Sequence, residues 1–327
     1  MNIHSARETA ATTGTIAGPI PKVAARHLTT DLDLTDDEAA ALLSLAALVK
    51  RSPRRYAHKL TGRYLALLLE KPSLRTRMTF ELAIQQLGGG AVFSEFNGHR
   101  IGDREPIQDV ARNLERWVHG IVARTHDQKT IDELARWSGV PVINALSDLY
   151  HPCQALADFF TLQEKFGGLR GLKLAFVGDG NNVAHSLLLG GARLGVDVAV
   201  ATPPGYEPNS EILAAAQGLA AASGAALRLT HDPFEAAEGA HAVYTDVWAS
   251  MGQESEARRR RKSFARYQVS EKLLAAARPG VIFMHCLPAH RGEEVTDAVI
   301  ESPASVVFDQ AENRLHAQKA LLLMMLS

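Results

Sequence analysis

The segment GRYLALLLEKPSLRTRMTFELAIQQLGGG, residues 62–90, decides the fold of this chain. The apolar run at residues 64–69 predicts a buried strand. The stretch from Arg75 to Leu87 predicts a helix, which the glycines at 88–90 bring to an end. A buried strand that leads directly into a helix is the repeating unit of a parallel sheet covered by helices.

The same alternation continues along the chain. Further strands are predicted at VHGIVART, VPVINAL, LKLAFVG, DVAVA, AVYTDVW, GVIFMHC and SVVFD, with helical patterns between them. A chain of 327 residues is long enough for two domains. We therefore expect an α/β protein of two domains, each a parallel sheet flanked by helices, joined by interdomain helices. The predicted bounds are a mobile N-terminal extension at 1–25, a first domain at 26–150, a second at 151–311, and a closing helix at 312–327 that packs back on the first.

Composition excludes several classes of function. The net charge is -1, which does not favour nucleic acid as a partner. The two cysteines have no paired spacing, so a disulfide scaffold and a metal site are not expected, and a cytoplasmic location fits. No apolar run reaches the roughly 20 residues that span a membrane.

The turn within the opening segment is rich in groups that suit an oxyanion. Ser73, Arg75 and Thr76 lie at the predicted start of a helix, where free backbone N–H groups and the helix dipole favour negative charge. Arg75 adds a planar fork that can bind phosphate through two hydrogen bonds. The alternative is an ordinary N-cap, Ser73, followed by exposed arginines. Both interpretations stay open on this segment alone.

A second candidate is HPCQ. His151 and Gln154 are three residues apart and so share one face at the start of a helix that Pro152 favours. A neutral imidazole and a carboxamide can both donate to a carbonyl oxygen. A capping histidine beside a structural glutamine is the alternative.

Three later strand ends also carry polar groups. GDGNN resembles a dinucleotide turn, but its third glycine place is Val183 and the acidic residue expected on the next strand is missing, so Asn182 is kept only as a polar contact. Asp246 could hold an amine or cap a helix. Cys286 could be a nucleophile only beside an activating base. The basic run RRRRK is interpreted as a solvated segment.

Taken in order, the segments SLRTR, HPCQ, GDGNN, DVWASMG, HCLPAHRG and ENRLHAQKA resemble the aspartate/ornithine carbamoyltransferase family. The resemblance runs from about Arg26 to the C-terminus. The SMG and HCLP segments place it with the ornithine carbamoyltransferases. It implies transfer of a carbamoyl group from carbamoyl phosphate to the δ-amine of L-ornithine, without cofactor, metal or covalent intermediate. It also implies homotrimers, with a loop at 96–106 reaching a neighbouring site.

The resemblance implies roles residue by residue. Catalytic roles fall on Arg75, Arg124, His151, Gln154, Cys286 and Arg314. Carbamoyl-phosphate binding falls on Ser73, the Leu74 backbone, Arg75, Thr76, Arg100, Arg124, His151, Gln154, Cys286, Leu287 and Arg314. Ornithine binding falls on Asn182, Asp246, Ser250 and Met251.

The chain departs from the family pattern at two places. Leu74 stands where threonine is commonest, which a backbone contact tolerates. Arg100 replaces glutamine or histidine and either reaches the phosphate or is solvated. Alternative functions are a carbamoyltransferase for an acylated ornithine or a diamine such as putrescine, a binding protein without turnover, and an NAD-dependent oxidoreductase suggested by GDGNN alone.

Overall fold

Two parallel sheets organise the chain. The structure is a computed structural model that describes residues 19–96, 98–249 and 256–327. The first sheet has the strand order β2-β1-β3-β4 and the second the order β7-β6-β5-β8-β9. The strands are β1 (Tyr64–Leu69), β2 (Gly90–Glu95), β3 (Gly120–Arg124), β4 (Val142–Leu146), β5 (Lys173–Val177), β6 (Asp197–Ala201), β7 (Leu227–Thr230), β8 (Ala242–Thr245) and β9 (Ile282–His285).

Helices cover both sheets. Those among the described residues are α1 (Asp36–Arg51), α2 (Leu74–Gln86), α3 (Ile107–Trp117), α4 (Gln128–Trp137), α5 (Pro152–Phe166), α6 (Asn182–Leu194), α7 (Ser210–Ser223), α8 (Pro233–Ala237), α9 (Ala257–Phe264), α10 (Glu271–Leu274), α11 (Asp297–Ile300) and α12 (Val307–Leu326). The predicted fold class, two parallel sheets flanked by helices, is thereby confirmed. In the described part of the chain, no helix combines the length and apolarity needed to cross a membrane.

Local sequence explains the first helix. Thr35 precedes α1, and its hydroxyl accepts a hydrogen bond from the Glu38 N–H at 3.3 Å. The Glu38 carboxylate accepts in return from the Thr35 N–H at 2.8 Å, which completes a capping box. Acidic residues fill the first turn and basic residues the last, in agreement with the helix dipole.

The order of strands positions the ligand crevice. In the first sheet β1 pairs with β2 on one side and β3 on the other, and in the second β5 pairs with β6 and β8. Connections therefore run in opposite directions from each central strand. In open parallel sheets a crevice forms at such a switch point, beyond the carboxyl ends of the strands.

The last helix connects the two halves. α12 follows β9 of the second sheet, yet it packs against α1, α2 and α5. Nearly every residue of its last two turns is buried, from Ala320 to Met324 and at Leu326. One apolar cluster includes α12 together with residues of both sheets.

The structure corrects the prediction of a strand at SVVFD. Ser305 forms a single bridge to Phe283, and the Val306 N–H donates to the Phe283 carbonyl at 3.0 Å. The chain then turns into α12 at Val307. Two strands that the sequence did not suggest, β2 and β7, are the outermost strands of their sheets. These two edge strands face solvent in part and lack the continuous apolar run that β4 and β9 keep at the opposite edges.

Candidate active site

The carboxyl ends of both sheets line one cleft of about 800 Å³. The first sheet contributes the turn after β1, the end of β3 and the start of α5 after β4. The second contributes the turn after β5 and the residues that follow β8 and β9. The predicted residues on the cleft wall are Ser73, Leu74, Arg75, Arg124, His151, Gln154, Asn182, Asp246, Cys286, Leu287 and Arg314.

The turn after β1 combines a helix cap with a place on the cleft wall. Ser73 is the N-cap of α2, and its hydroxyl accepts from the Thr76 N–H at 3.2 Å. Ser73 and Arg75 also line the cleft. The two arginines of the motif separate, since Arg77 lies over the Phe93 ring, 3.9 Å from its centre, and is not part of the cleft wall. Of the two guanidiniums in this turn, that of Arg75 therefore lines the cleft.

Three guanidiniums meet in the cleft without a counterion. Within the described ranges, Arg75, Arg124 and Arg314 form no ion pair, and the Nε atoms of Arg124 and Arg314 are buried without a hydrogen-bond partner. Burial, reinforced by Arg314 and Arg75, lowers the pKa of Arg124 to about 10. A concentration of buried, unpaired positive charge is costly by itself and favours an anionic ligand.

His151 lies among these guanidiniums as a neutral imidazole. It occupies the N-cap position of α5 and is 5% exposed. Burial first, and then repulsion from Arg314, Arg124 and Arg75, places the pKa of His151 well below 6.5. Its Nδ1 atom has no hydrogen-bond partner among the residues that the structure describes, while its backbone N–H donates to the Ser186 hydroxyl at 2.9 Å. The side chain therefore keeps hydrogen-bonding capacity for a ligand at neutral pH.

Gln154 is held differently from the expectation. Its amide nitrogen donates to the Asp158 carboxylate at 2.8 Å, and its carbonyl oxygen accepts from Arg314 Nη1 at 2.7 Å. The sequence suggested that this carboxamide donates to a ligand carbonyl. In the structure a donor hydrogen goes to Asp158, and the oxygen lies on the side of Arg314.

The second sheet supplies an acidic group to the opposite wall. The Asp246 carboxylate accepts from the Cys286 thiol at 3.0 Å and from Asn181 Nδ2 at 2.8 Å. Burial first, and then Asp246, raises the pKa of Cys286 well above its usual value. A thiol that stays protonated and donates to a carboxylate is not an activated nucleophile.

Of the two asparagines in GDGNN, Asn181 makes the contact with Asp246. Its side chain also caps α6 by accepting from the N–H groups of Val183 and Ala184. Asn182 lines the cleft, but its Nδ2 donates to the Ser147 carbonyl at 2.6 Å. Sequence reasoning chose Asn182. The Ser/Thr/Asn preference at N-caps could have pointed to Asn181 as well.

Arg100 lies away from the cleft of its own chain. Its side chain is exposed and pairs with Asp127 at 2.5 Å. The loop around it is fixed by Glu70, whose buried carboxylate accepts from the N–H groups of Ile101 and His126, each at 2.7 Å. Ser250 and Met251 lie outside the described residues. Thr76 is buried behind the cleft wall, where its hydroxyl accepts from Arg314 Nη2 at 3.5 Å.

Leu287 lines the cleft with a backbone that few residues adopt. Its φ is 58°, in the left-handed region, and its N–H donates to His285 Nδ1 at 2.8 Å. The other ring nitrogen of His285 contacts Glu294 at 3.2 Å. Both ring nitrogens of His285 are thus hydrogen-bonded, although one of them lies near the Cys286 sulfur and an Asp246 carboxylate oxygen.

Several cleft residues were missed by sequence reasoning. Lys71 lines the wall beside Arg124, and burial lowers its pKa. Arg260, within the run interpreted as solvated, is buried and pairs with Asp179 at 2.8 Å. The position of Lys71, directly after a strand, could have indicated it. Arg260 carries no comparable signal, because its neighbours in the run have the same side chain.

The fold and the cleft define a class: a two-sheet α/β protein with buried, unpaired positive charge in a cleft where the carboxyl ends of both sheets meet. Comparison with known families agrees. Residues 26–164 match the model described as the carbamoyl-P binding domain of aspartate/ornithine carbamoyltransferase, and residues 170–325 match its Asp/Orn binding domain.

Individual relatives are similar over nearly their whole length. The chain is 53% identical over 295 residues to an ornithine carbamoyltransferase of Thermococcus kodakarensis, covering 89% of this chain and 93% of that one. It is 51% identical over 308 residues to the anabolic ornithine carbamoyltransferase of Pyrococcus furiosus, covering 93% and 97%. The solved structure of the ornithine carbamoyltransferase from that organism matches with a TM-score of 0.90 at 51% identity, covering 93% of this chain and 98% of that one. The chain belongs to the aspartate/ornithine carbamoyltransferase family.

Proposed function

We propose that this chain transfers the carbamoyl group of carbamoyl phosphate to the δ-amine of L-ornithine, giving L-citrulline and phosphate. The observation that carries the proposal is the cleft itself. Arg75, Arg124 and Arg314 converge on one end of it, and Asp246 lies on the wall that the second sheet provides. The end with the three guanidiniums suits a dianionic phosphate. The wall with Asp246 suits a substrate that carries a positively charged amino group, as ornithine does at its α-carbon.

The chemistry follows from the charges on the cleft wall. The neutral δ-amine attacks the carbamoyl carbon, the new C–N bond forms, and the C–O bond to phosphate breaks with its electron pair leaving on phosphate. The amine proton passes to the departing phosphate as the tetrahedral intermediate collapses. Arg75, Arg124, Arg314 and neutral His151 are donors placed for the negative charge that develops on the carbonyl oxygen and on the departing phosphate. Each such donor contributes on the order of 3 kcal/mol in acyl transfers.

We propose that the two halves of the chain bind different substrates. Residues 26–150, with the helix at 312–327, bind carbamoyl phosphate through Ser73, the Leu74 backbone, Arg75 and Arg124. Residues 151–311 bind ornithine through Asp246, with Asn182, Ser250 and Met251 as further contacts. His151, Gln154, Cys286, Leu287 and Arg314 border the carbamoyl group between them. Holding both substrates together supplies much of the remaining rate enhancement.

The decisive test is citrulline formation by the purified protein. Carbamoyl phosphate is supplied with ornithine, N-acetylornithine or putrescine in parallel. We expect strong preference for ornithine, since Asp246 and its surroundings must recognise an amino acid. The Arg75→Ala variant is the control for background carbamoylation in solution and should fall to that level. Turnover with putrescine or N-acetylornithine in preference to ornithine would overturn the proposed acceptor.

We further propose that the chain assembles into homotrimers with sites shared between subunits. Support comes from an exposed apolar stripe on α2, formed by Leu74, Met78 and Leu82. Exposed apolar patches of this kind mark protein contacts. Arg100 is exposed outside its own cleft, which suits a role in the site of a neighbouring subunit.

The assembly is tested by light scattering coupled to gel filtration. Met78→Lys should dissociate the particle to monomers and abolish turnover. Leu229→Lys, an apolar position of similar exposure (37% against 45% for Met78) on the distant edge strand β7, is the matched control and should leave both unchanged. A monomeric but fully active wild type would contradict the proposal.

We also place the reaction in arginine biosynthesis and in the cytoplasm. The free cysteines Cys153 and Cys286 suit the reducing conditions of that compartment.

A further inference from the structure

A polar ring lies buried beneath the cleft, between α5 and α12. Gln154 and Asp158 are one helical turn apart on α5, and Gln310 and Arg314 are one turn apart on α12. Asp158 Oδ1 accepts from Gln154 Nε2 at 2.8 Å and from Gln310 Nε2 at 2.7 Å. Arg314 Nη1 donates to Gln154 Oε1 at 2.7 Å, so the four side chains form a hydrogen-bonded chain whose two ends, Gln310 and Arg314, are joined through one turn of α12; we call this set the polar ring. None of the four side chains is more than 2% exposed.

The ring leaves Gln154 a single orientation. An ionised carboxylate can only accept hydrogen bonds, and a guanidinium can only donate them. The carboxamide must therefore turn its nitrogen to Asp158 and its oxygen to Arg314. Gln154 also lines the cleft, so its oxygen is the atom of the amide that is placed as an acceptor there. Without the carboxylate, Arg314 alone would oppose a flip of the amide, so Asp158 supplies half of the restraint on its orientation.

We propose that Asp158 is a positioning residue that fixes the Gln154 carbonyl oxygen as a reader of the carbamoyl –NH2 group. This inference rests on the proposed function for the identity of the ligand. A carbamoyl group differs from an acetyl group in carrying two N–H donors in place of a methyl group. An acceptor held rigidly in the cleft distinguishes the two, because the methyl group of acetyl phosphate would leave that oxygen unpaired.

Gln310 extends the ring to the second sheet. Its carbonyl oxygen accepts from the His285 N–H at 2.9 Å, next to Cys286, and its nitrogen also donates to the Tyr244 hydroxyl at 3.1 Å. Burial raises the pKa of Asp158 to about 7, although hydrogen bonds from Gln154, Gln310 and Tyr244 oppose the rise. Measurements at pH 8.5 therefore keep Asp158 an acceptor.

The test is equilibrium binding by calorimetry with three probes at pH 8.5: inorganic phosphate, acetyl phosphate and carbamoyl phosphate. In the wild type we expect carbamoyl phosphate to bind about tenfold more tightly than acetyl phosphate, the value of one hydrogen bond. Asp158→Asn should remove most of that preference while phosphate binding changes less than about twofold, because the phosphate contacts proposed for Ser73, the Leu74 backbone, Arg75 and Arg124 lie outside the ring. Gln310→Leu is the matched control, since it removes the other bond to Asp158 and should keep the preference.

An exchange variant guards against a loss of folding. Gln154→Glu combined with Asp158→Asn keeps one carboxylate and one amide in the ring and restores an acceptor beside Arg314. This pair should recover the preference that Asp158→Asn loses. A preference that survives Asp158→Asn, or a wild type that binds both acyl phosphates equally, would overturn the proposal. Citrulline formation is scored separately: a protein that prefers carbamoyl phosphate yet forms no citrulline refutes the proposed function and leaves the role of Asp158 standing.

Discussion

We expect Arg124 to destabilise the protein when no ligand is bound, although the same side chain is needed to bind the ligand. Burial, with Arg314 and Arg75 nearby, lowers its pKa to about 10. The ordinary value for arginine is about 12.5, and one pKa unit corresponds to about 1.4 kcal/mol, so charging Arg124 costs the fold about 3 kcal/mol. At pH 7.5 Arg124 is charged in both the folded and the unfolded chain. The whole cost is therefore present at neutral pH and would be relieved only as the pH rises through about 10.

Replacing this guanidinium should raise stability and abolish function together. For Arg124→Met without ligand, we expect the free energy of unfolding to rise by about 1–3 kcal/mol, which corresponds to an increase in Tm of about 2–6 °C. The same change should lower kcat/KM for carbamoyl phosphate by at least about 100-fold. Phosphate at 100 times its Kd should stabilise the wild type by about 2.7 kcal/mol and the variant hardly at all.

Differential scanning calorimetry with and without phosphate measures both halves of this prediction. Arg116→Met is the control, because the Arg116 side chain is 78% exposed and, within the described residues, its ion pair is with the neighbouring Glu115 at 3.7 Å. It should leave Tm and phosphate stabilisation unchanged. If Arg124→Met melts below the wild type in the absence of ligand, or gains as much from phosphate, the reasoning from buried unpaired charge is refuted.

Three other predictions concern different parts of the cleft. Asp246→Asn should raise the KM for ornithine at least tenfold and leave the Kd of carbamoyl phosphate unchanged by calorimetry, since the carboxylate belongs to the second sheet; equal weakening of both would contradict this. Because the pKa of His151 lies well below 6.5, kcat/KM should rise with pH from 6.5 to 8.5 through deprotonation of the ornithine amine, and His151→Asn should lower the profile without shifting its limb, so a shifted limb would assign the titration to His151. Arg260→Met leaves Asp179 buried without its partner and should cost about 3 kcal/mol by denaturant unfolding, most of which Asp179→Asn restores in the double variant; a loss below about 0.5 kcal/mol would show that the pair is irrelevant to stability.

Much of the fold could be predicted because buried helices and strands have recognisable patterns of apolar residues. β1, β3 and β5 read as continuous apolar runs since both faces of a parallel sheet are covered. The edge strands β2 and β7 have no such run. SVVFD misled because a short β-branched run at the sheet edge is compatible with a single bridge followed by a helix. Local composition does not decide between those outcomes.

For the site, the sequence indicated which segments matter but not which atoms face the ligand. Arg75 and Arg77 are equivalent in the motif, yet one lines the cleft and the other stacks on Phe93. Asp158 could not be found either, because a polar residue in the middle of a helix looks like an ordinary solvated position. Its role depends on residues of α12 that lie about 150 positions further along the chain. Contacts of that range are set by the tertiary fold.

The path of α12 limits how this protein can be divided or recombined. The helix begins beside the second sheet and ends buried against α1 and α2 of the first half, where the Met324 carbonyl accepts from the Val23 N–H at 3.3 Å. A gene fragment ending near residue 150 would therefore express a first half in which the apolar surfaces of α1 and α2 that contact α12 are uncovered. Chimaeras between relatives should exchange α12 together with residues 26–150, as a single module in two pieces. A fusion partner attached directly after Leu326 would meet a packed helix end, so a linker there needs to clear the surface before the partner can fold.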